Sequence, residues 1–168
     1  MAEAAAEHAA KAEERSTRWI FLGAGLFNAG LVPVSFFTHL GKFDPMFTRA
    51  GCGNLGLWGL AYASLYNRYH LAPATSVVFG LEKLFYTVRW LGWMQTSRRT
   101  LPGLWKSDKL AASVLSFYGI VDGLFCVLFF RTAYLHRNNL LGSTGAEETL
   151  QAVVKSSMKK SVAKRLGM

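Results

Sequence analysis

Charged residues are scarce in this chain, and that scarcity excludes several classes of protein. Only 17% of the 168 residues are Asp, Glu, Lys or Arg, against about 25% in an average soluble domain. Because 51% of the residues are hydrophobic, a disordered chain is excluded, since so much apolar surface would collapse or enter lipid. Two cysteines are too few for a disulfide scaffold, and the length allows one domain.

Acidic residues are the scarcer of the two charge types. The chain has ten Asp and Glu residues and nineteen Lys and Arg residues, which gives a formal net charge of +9. An excess of basic residues is typical of proteins that bind nucleic acid or membranes. A nucleic-acid-binding domain spreads its charge over a polar surface, whereas most basic residues here lie between or outside four apolar blocks. The pattern therefore indicates a membrane protein without a nucleic-acid partner.

The four apolar blocks are candidates for membrane-spanning helices, which need about 20 mostly apolar residues. They cover residues 19–38, 54–69, 74–94 and 110–135, and the second is short for a span. Short connections with turn residues join the blocks, and such loops make successive helices antiparallel neighbours. We therefore expect an all-α integral membrane protein, with a bundle of four antiparallel transmembrane helices in residues 19–137.

Polar segments flank this transmembrane domain at both ends of the chain. Residues 1–18 are rich in alanine, which predicts an N-terminal helical extension. In residues 138–168, apolar residues recur at every fourth position beside basic ones, which predicts a basic amphipathic helix. Its basic residues are candidates for docking on anionic lipids or on a partner protein: Lys155, Lys159, Lys160, Lys164 and Arg165.

The distribution of basic residues also predicts an orientation. Eleven Lys and Arg residues fall on the side that holds both termini, which we call the terminal side, and six fall on the opposite, distal side. Basic residues are enriched on the cytoplasmic side of membrane proteins. We therefore expect both termini to face the cytoplasm, the matrix or the stroma.

Four ionisable residues lie inside the apolar blocks. Glu82, Lys83 and Arg89 belong to the third block, and Asp122 belongs to the fourth. Each would cost about 2.5–3.5 kcal/mol if it stood alone at a helix centre, so we expect pairing, in the first place between Lys83 and Asp122. Two acids and two bases make the set neutral. Neutrality favours a structural clamp over a proton or ion relay, because a proton carrier usually lacks a permanent cationic partner.

Motifs for catalysis or cofactor binding are weak in this sequence. Residues 51–56 match the G-x-G-x-x-G pattern of dinucleotide sites, but no predicted strand precedes them. His39 and His70 lie about a membrane thickness apart, so they cannot share a metal ion, although His70 and His136 can approach each other. The sequence therefore predicts that the protein is not an enzyme and that it holds no cofactor or metal.

These features favour a non-catalytic accessory subunit of a large energy-transducing membrane complex, of the respiratory-chain or ATP synthase type. Its partners would be other membrane subunits and phospholipids, including anionic lipids. The mitochondrial inner membrane is the first compartment we expect, with the thylakoid or a bacterial inner membrane as alternatives. Two other functions stay open. One is a small oligomeric transporter or proton channel that uses Glu82 and Asp122, and the other is a membrane-embedded lipid-binding protein or enzyme.

Overall fold

The computed structural model describes residues 1–139, 153–155 and 158, and these residues contain helices and no strands. The all-α class expected from the sequence is therefore confirmed for this part of the chain. The α-helices of residues 1–139 are α1 (Ala2–Phe37), α2 (Arg49–Ser64), α3 (Pro73–Ser97), α4 (Leu101–Ser107) and α5 (Lys109–Leu135). Short 3₁₀ turns lie between successive helices as far as α4, and Asp108 alone separates α4 from α5.

The first helix, α1, is continuous over 36 residues and joins the predicted N-terminal extension to the first apolar block. Nothing breaks the helix near residue 18, because the extension consists of good helix formers. Lys11 Nζ lies 2.6 Å from Glu7 Oε1 one turn away, an exposed pair of the kind that supports isolated helices. The boundary in composition at residue 18 is therefore not a boundary in backbone structure.

Helices α1 and α2 pack closely because glycines face each other across their interface. A Cβ atom added at Gly25 would lie 2.8 Å from the carbonyl oxygen of Gly59, and one added at Gly56 would lie 2.8 Å from Val32 Cγ2. The two helices run in opposite directions, since the later residue of α1 meets the earlier residue of α2. Small residues at such contacts let helix backbones approach each other.

Helices α3 and α5 form the second closely packed pair. Trp90 Nε1 donates a hydrogen bond of 2.8 Å to the carbonyl oxygen of Leu115. A Cβ atom added at Gly119 would lie 2.2 Å from the Trp90 side chain. The indole ring of Trp90 is thus seated on a glycine of α5, and this contact fixes the register of the two helices.

Two helices of the described chain are long and apolar enough to cross a membrane, namely Ala4–Phe37 within α1, and α5. The criterion is one of length and composition, which a core helix of a soluble protein can also satisfy. Helix α2 has only 16 residues, and α3 carries three charged residues near its middle. Composition and length therefore support two of the four expected spans.

Most of the predicted basic C-terminal helix lies outside the described residues. This holds for Lys159, Lys160, Lys164 and Arg165. Lys155 belongs to a described helical segment and is exposed.

Candidate functional site

The most unusual feature of the core is a lysine that is completely buried. The side chain of Lys83 is 0% exposed, and its Nζ atom lies 2.6 Å from Asp122 Oδ1. Nζ also donates a hydrogen bond of 2.8 Å to Asn28 Oδ1. The pair expected from the sequence thus exists as an ion pair, and Asn28 adds a partner from α1. One ammonium group therefore joins side chains of α1, α3 and α5.

Aromatic rings surround the same ammonium group. Lys83 Nζ lies 5.3 Å from the centroid of the Tyr62 ring and 6.0 Å from the centroid of the Phe27 ring. These distances are within the range in which the negative face of an aromatic ring attracts a cation. Tyr62 belongs to α2, so all four long helices contribute a side chain to the surroundings of Lys83.

Glu82 lies beside this cluster and is less completely satisfied. The hydroxyl group of Tyr62 donates a hydrogen bond to Glu82 Oε2, and Lys83 Nζ lies 3.9 Å from the same oxygen. The other oxygen, Oε1, is buried and has no hydrogen-bond partner among the described residues. Because the Glu82 side chain is only 7% exposed, water cannot easily compensate for the missing partner.

Arg89 lies away from the cluster and contacts a loop residue instead. Its Nη2 atom is 3.3 Å from Asp44 Oδ1. Asp44 is buried, accepts a hydrogen bond of 2.9 Å from the backbone nitrogen of Met46, and lies 3.4 Å from the Tyr118 hydroxyl. The neutral set of four expected from the sequence is therefore divided into two groups. Glu82, Lys83 and Asp122 remain together, with two carboxyl groups for one amine.

Asp44 is the residue that sequence reasoning missed. It lies in the connection between the first two apolar blocks, and its carboxylate caps the 3₁₀ turn Pro45–Phe47. Its contact with Arg89 depends on the loop lying against α3, where Trp93 Nε1 donates a hydrogen bond of 3.0 Å to the carbonyl oxygen of Phe43. The sequence offers no signal for this contact, because Asp44 and Arg89 are far apart in the chain and only the fold brings them together.

The cluster is almost closed to the surface. The side chains of Glu82, Lys83 and Asp122 are 7%, 0% and 5% exposed. No set of three or more His, Cys, Asp or Glu residues is placed to hold a metal ion within residues 1–139 and the short described segments beyond. The arrangement can hold helices together, and proton exchange would require an opening between them.

A second polar site lies at the terminal end of the bundle. Its cavity of about 470 Å³ is bordered by Glu13, Tyr69, His70 and His136. The two imidazole rings are 6.5 Å apart between centroids. Burial, and then the charge of His70, lower the pKa of His136 below its usual value. Glu13 Oε1 accepts a hydrogen bond of 2.7 Å from Arg131, so the start of α1 is also tied to the end of α5.

The G-x-G-x-x-G segment does not form a nucleotide-binding loop. Residues 51–56 belong to α2, which follows a 3₁₀ turn rather than a strand. A Cβ atom at Gly51 would lie 2.0 Å from the carbonyl oxygen of Met46. Gly51 is therefore required by the close approach of the preceding loop, and Gly56 and Gly59 by the contact with α1.

Similarity to known proteins does not assign the chain to a family. No family model matches the sequence, and no curated protein and no solved structure matches it significantly.

Proposed function

We propose that the protein is a membrane-embedded bundle that acts as a non-catalytic accessory subunit of a larger membrane complex. In this proposal α1, α2, α3 and α5 are four antiparallel spans, and both termini lie on one side. The complex belongs to an energy-transducing membrane, the mitochondrial inner membrane in the first place. The observation that carries the proposal is the distribution of polarity, with an ion pair inside and large apolar side chains outside.

The apolar outer surface follows helical spacing on two of the proposed spans. On α3 the exposed residues are Leu81, Leu84, Phe85, Val88 and Leu91, and on α5 they are Phe117, Ile120, Leu124 and Val127. The buried residues Lys83 and Asp122 lie on the opposite faces of these helices. Contiguous exposed apolar surface is a mark of contact with lipid or with partner proteins. A soluble bundle would reverse this arrangement.

The closed charge cluster supports a packing role rather than a chemical one. Lys83 and Asp122 have side chains that are 0% and 5% exposed, so neither is available to a substrate in this conformation. Their contacts instead fix how α3 and α5 sit against α1. A polar contact of this type specifies one arrangement of helices that apolar packing alone would leave less well defined.

Native particle mass is the decisive measurement for this proposal. Membranes are washed with alkali, solubilised in mild detergent and separated by native electrophoresis, with mass spectrometry of the particle. We expect the chain to stay in the washed membranes and to migrate in a particle much larger than its own 18.6 kDa, together with other proteins. A chain recovered in the alkali wash would refute membrane embedding, and a small homo-oligomer would refute the subunit role.

A variant pair tests the outer surface of α3. Val88→Arg places a charge on the exposed apolar face, and Gln95→Arg places the same charge on an exposed polar position near the end of the same helix. We expect Val88→Arg to reduce recovery of the chain in the large particle, and Gln95→Arg to leave it unchanged. Equal recovery of both variants would contradict a role for this face.

The excess of carboxyl groups in the cluster favours a second candidate function, a small oligomeric proton channel or transporter. Glu82 and Asp122 share one cation, Lys83, and Glu82 Oε1 lacks a partner. An unsatisfied buried carboxyl group is suited to binding a proton. Intramembrane acids of this kind often belong to proton pathways.

Flux measurements in proteoliposomes separate the two candidates. A transporter predicts proton flux that Glu82→Gln abolishes and that Glu7→Gln, on the exposed extension, leaves intact. The accessory subunit predicts no flux from the unaltered chain. A flux that persists in the Glu82→Gln variant would exclude Glu82 as the carrier.

A further inference from the structure

We propose that the seam between α1 and α5 binds one anionic phospholipid, with its headgroup at Lys42 and Lys109 and an acyl chain along the seam. This inference rests on the proposed membrane position of the bundle. It adds a defined lipid site, on the distal side, to the general lipid contact that any membrane protein makes. The site combines an apolar groove with a cationic cavity.

The apolar part is a groove of about 260 Å³ between the two helices. Phe27 and Leu31 border it on α1, and Val114, Phe117 and Val121 border it on α5. The groove exists because α1 packs mainly along α2 while α5 packs mainly along α3, so α1 and α5 touch each other over a much shorter length. Its surface is suited to a hydrocarbon chain and offers little to a polar ligand.

The cationic part is a cavity of about 620 Å³ where α1 ends and α5 begins. Phe37, His39, Lys42, Asp108 and Lys109 border it. Within the described chain, neither Lys42 nor Lys109 forms an ion pair. The one acid, Asp108, is engaged as the cap of α5, where Oδ1 accepts a hydrogen bond of 2.9 Å from the backbone nitrogen of Ala111. Two lysines against one acid leave the cavity positive, and a phosphodiester group would balance that charge.

The two parts follow one another along the same helix faces. Lys109 stands one turn before Ser113, which borders the apolar groove and whose hydroxyl donates a hydrogen bond of 2.8 Å to the Lys109 carbonyl oxygen. On α1, Phe37 of the cavity lies about 9 Å along the helix from Leu31 of the groove. The stretch of α5 from Lys109 to Val121 is about 18 Å long. This length is comparable to one leaflet of a hydrocarbon core that is about 30 Å thick.

An anionic phospholipid is the ligand class that matches both parts. A neutral phospholipid would fill the groove but would leave the two lysines without a net counter-charge. A soluble phosphate would meet the lysines but would leave the groove empty. Both lysines are exposed at the end of the proposed spans, which is the depth at which a phosphate group lies when its acyl chain follows the groove.

Lipid retention by the full-length chain tests the proposal. The protein is purified in mild detergent, incubated with dioleoyl phosphatidylglycerol or dioleoyl phosphatidylcholine, and examined by native mass spectrometry. We expect one phosphatidylglycerol to be retained in preference to phosphatidylcholine, whose acyl chains are identical. The double variant Lys42→Gln/Lys109→Gln should reduce this preference by roughly thirtyfold, because two lysines near a membrane surface each attract anionic lipid. The control Arg98→Gln/Arg99→Gln, which removes two exposed charges on the same distal side, should keep it.

A second variant tests the groove without changing charge. Ser113→Trp fills the groove from its half-buried position on α5, so it should reduce retention of phosphatidylglycerol although both lysines remain. Competition by inorganic phosphate at the concentration of the lipid would overturn the assignment to a lipid. Equal retention of the two lipids by the unaltered chain would overturn the anionic site.

Failure of the site and failure of the proposed function give different results. A chain that stays in alkali-washed membranes but shows no preference for phosphatidylglycerol refutes only the lipid site. A chain that leaves the membrane on washing refutes the proposed function, and the lipid site with it.

Discussion

Replacing Lys83 by methionine should be among the most damaging single substitutions in the protein. The change preserves the length of the side chain but removes the cation that faces Asp122, whose side chain is only 5% exposed. Removing one partner of a buried ion pair typically costs about 3–5 kcal/mol, because the remaining charge is left without compensation. Asn28 Oδ1 also loses its donor. We therefore expect Lys83→Met to lower the free energy of unfolding by at least about 3 kcal/mol.

The companion variant removes both charges. In Lys83→Met/Asp122→Leu no isolated charge of the pair remains, and replacement of a whole buried pair by apolar groups is often nearly neutral. Asn28 stays without its donor in this variant, which costs about 1–3 kcal/mol. Glu82 loses its nearby cation in Lys83→Met and in the double variant alike. The double variant should therefore be more stable than Lys83→Met by about 2 kcal/mol or more, because the second uncompensated carboxyl group, that of Asp122, is gone.

Reversible unfolding in mixed detergent micelles gives the necessary free energies. Tryptophan fluorescence is a suitable signal, since Trp90 is buried between α3 and α5. Lys11→Met serves as the control, because Lys11 and Glu7 form a pair whose side chains are 71% and 66% exposed. Such pairs contribute about 0.3–0.5 kcal/mol. Comparable losses for Lys83→Met and Lys11→Met would refute the argument, as would a double variant no more stable than Lys83→Met.

Two further predictions concern a helix contact and a pH dependence. Gly119→Ala should destabilise the bundle by about 1–3 kcal/mol, because the new methyl group would overlap the ring of Trp90. The control Gly92→Ala should not, since nothing lies within 4 Å of its added Cβ atom. The thermal unfolding midpoints of the two variants measure the difference. The lowered pKa of His136 means that the unfolded chain binds the proton more tightly. The free energy of unfolding should therefore be highest above pH 6.5 and decrease as the pH falls below that value. His136→Gln should weaken this decrease, and an equally steep decrease in the variant would refute the assignment to His136.

The sequence was sufficient to predict contacts between charged residues that lie near the middle of neighbouring apolar blocks. Lys83 and Asp122 are central in neighbouring blocks and opposite in charge, so their pairing follows from the cost of leaving either alone. The pairing of Arg89 could not be derived in the same way. Its partner, Asp44, lies in the loop between α1 and α2, and contacts with α3 hold this loop in place.

The predicted spans also differ in how well the helices match them. Residues 110–135 contain a long apolar run, and α5 covers Lys109–Leu135. Helix α2 is limited to Arg49–Ser64, because 3₁₀ structure at Tyr69–Leu71 replaces the end of the predicted block. Periodicity does not locate such an end, because the apolar pattern continues through residues 65–71, where the ring of Tyr69 stacks on that of Phe21 at 5.4 Å between centroids.

The unbroken course of α1 has a consequence for distances outside the bundle. A helix of 36 residues is about 54 Å long, whereas a hydrocarbon core is about 30 Å thick. With its later residues placed as a span, its first turns stand some 20 Å beyond the lipid boundary. Near that boundary, the hydrogen bond between Arg131 and Glu13 holds α1 against α5. In the proposed membrane position, the amino end of α1 is therefore a helical spacer, and a partner protein that contacts its first turns would do so about 20 Å from the lipid boundary.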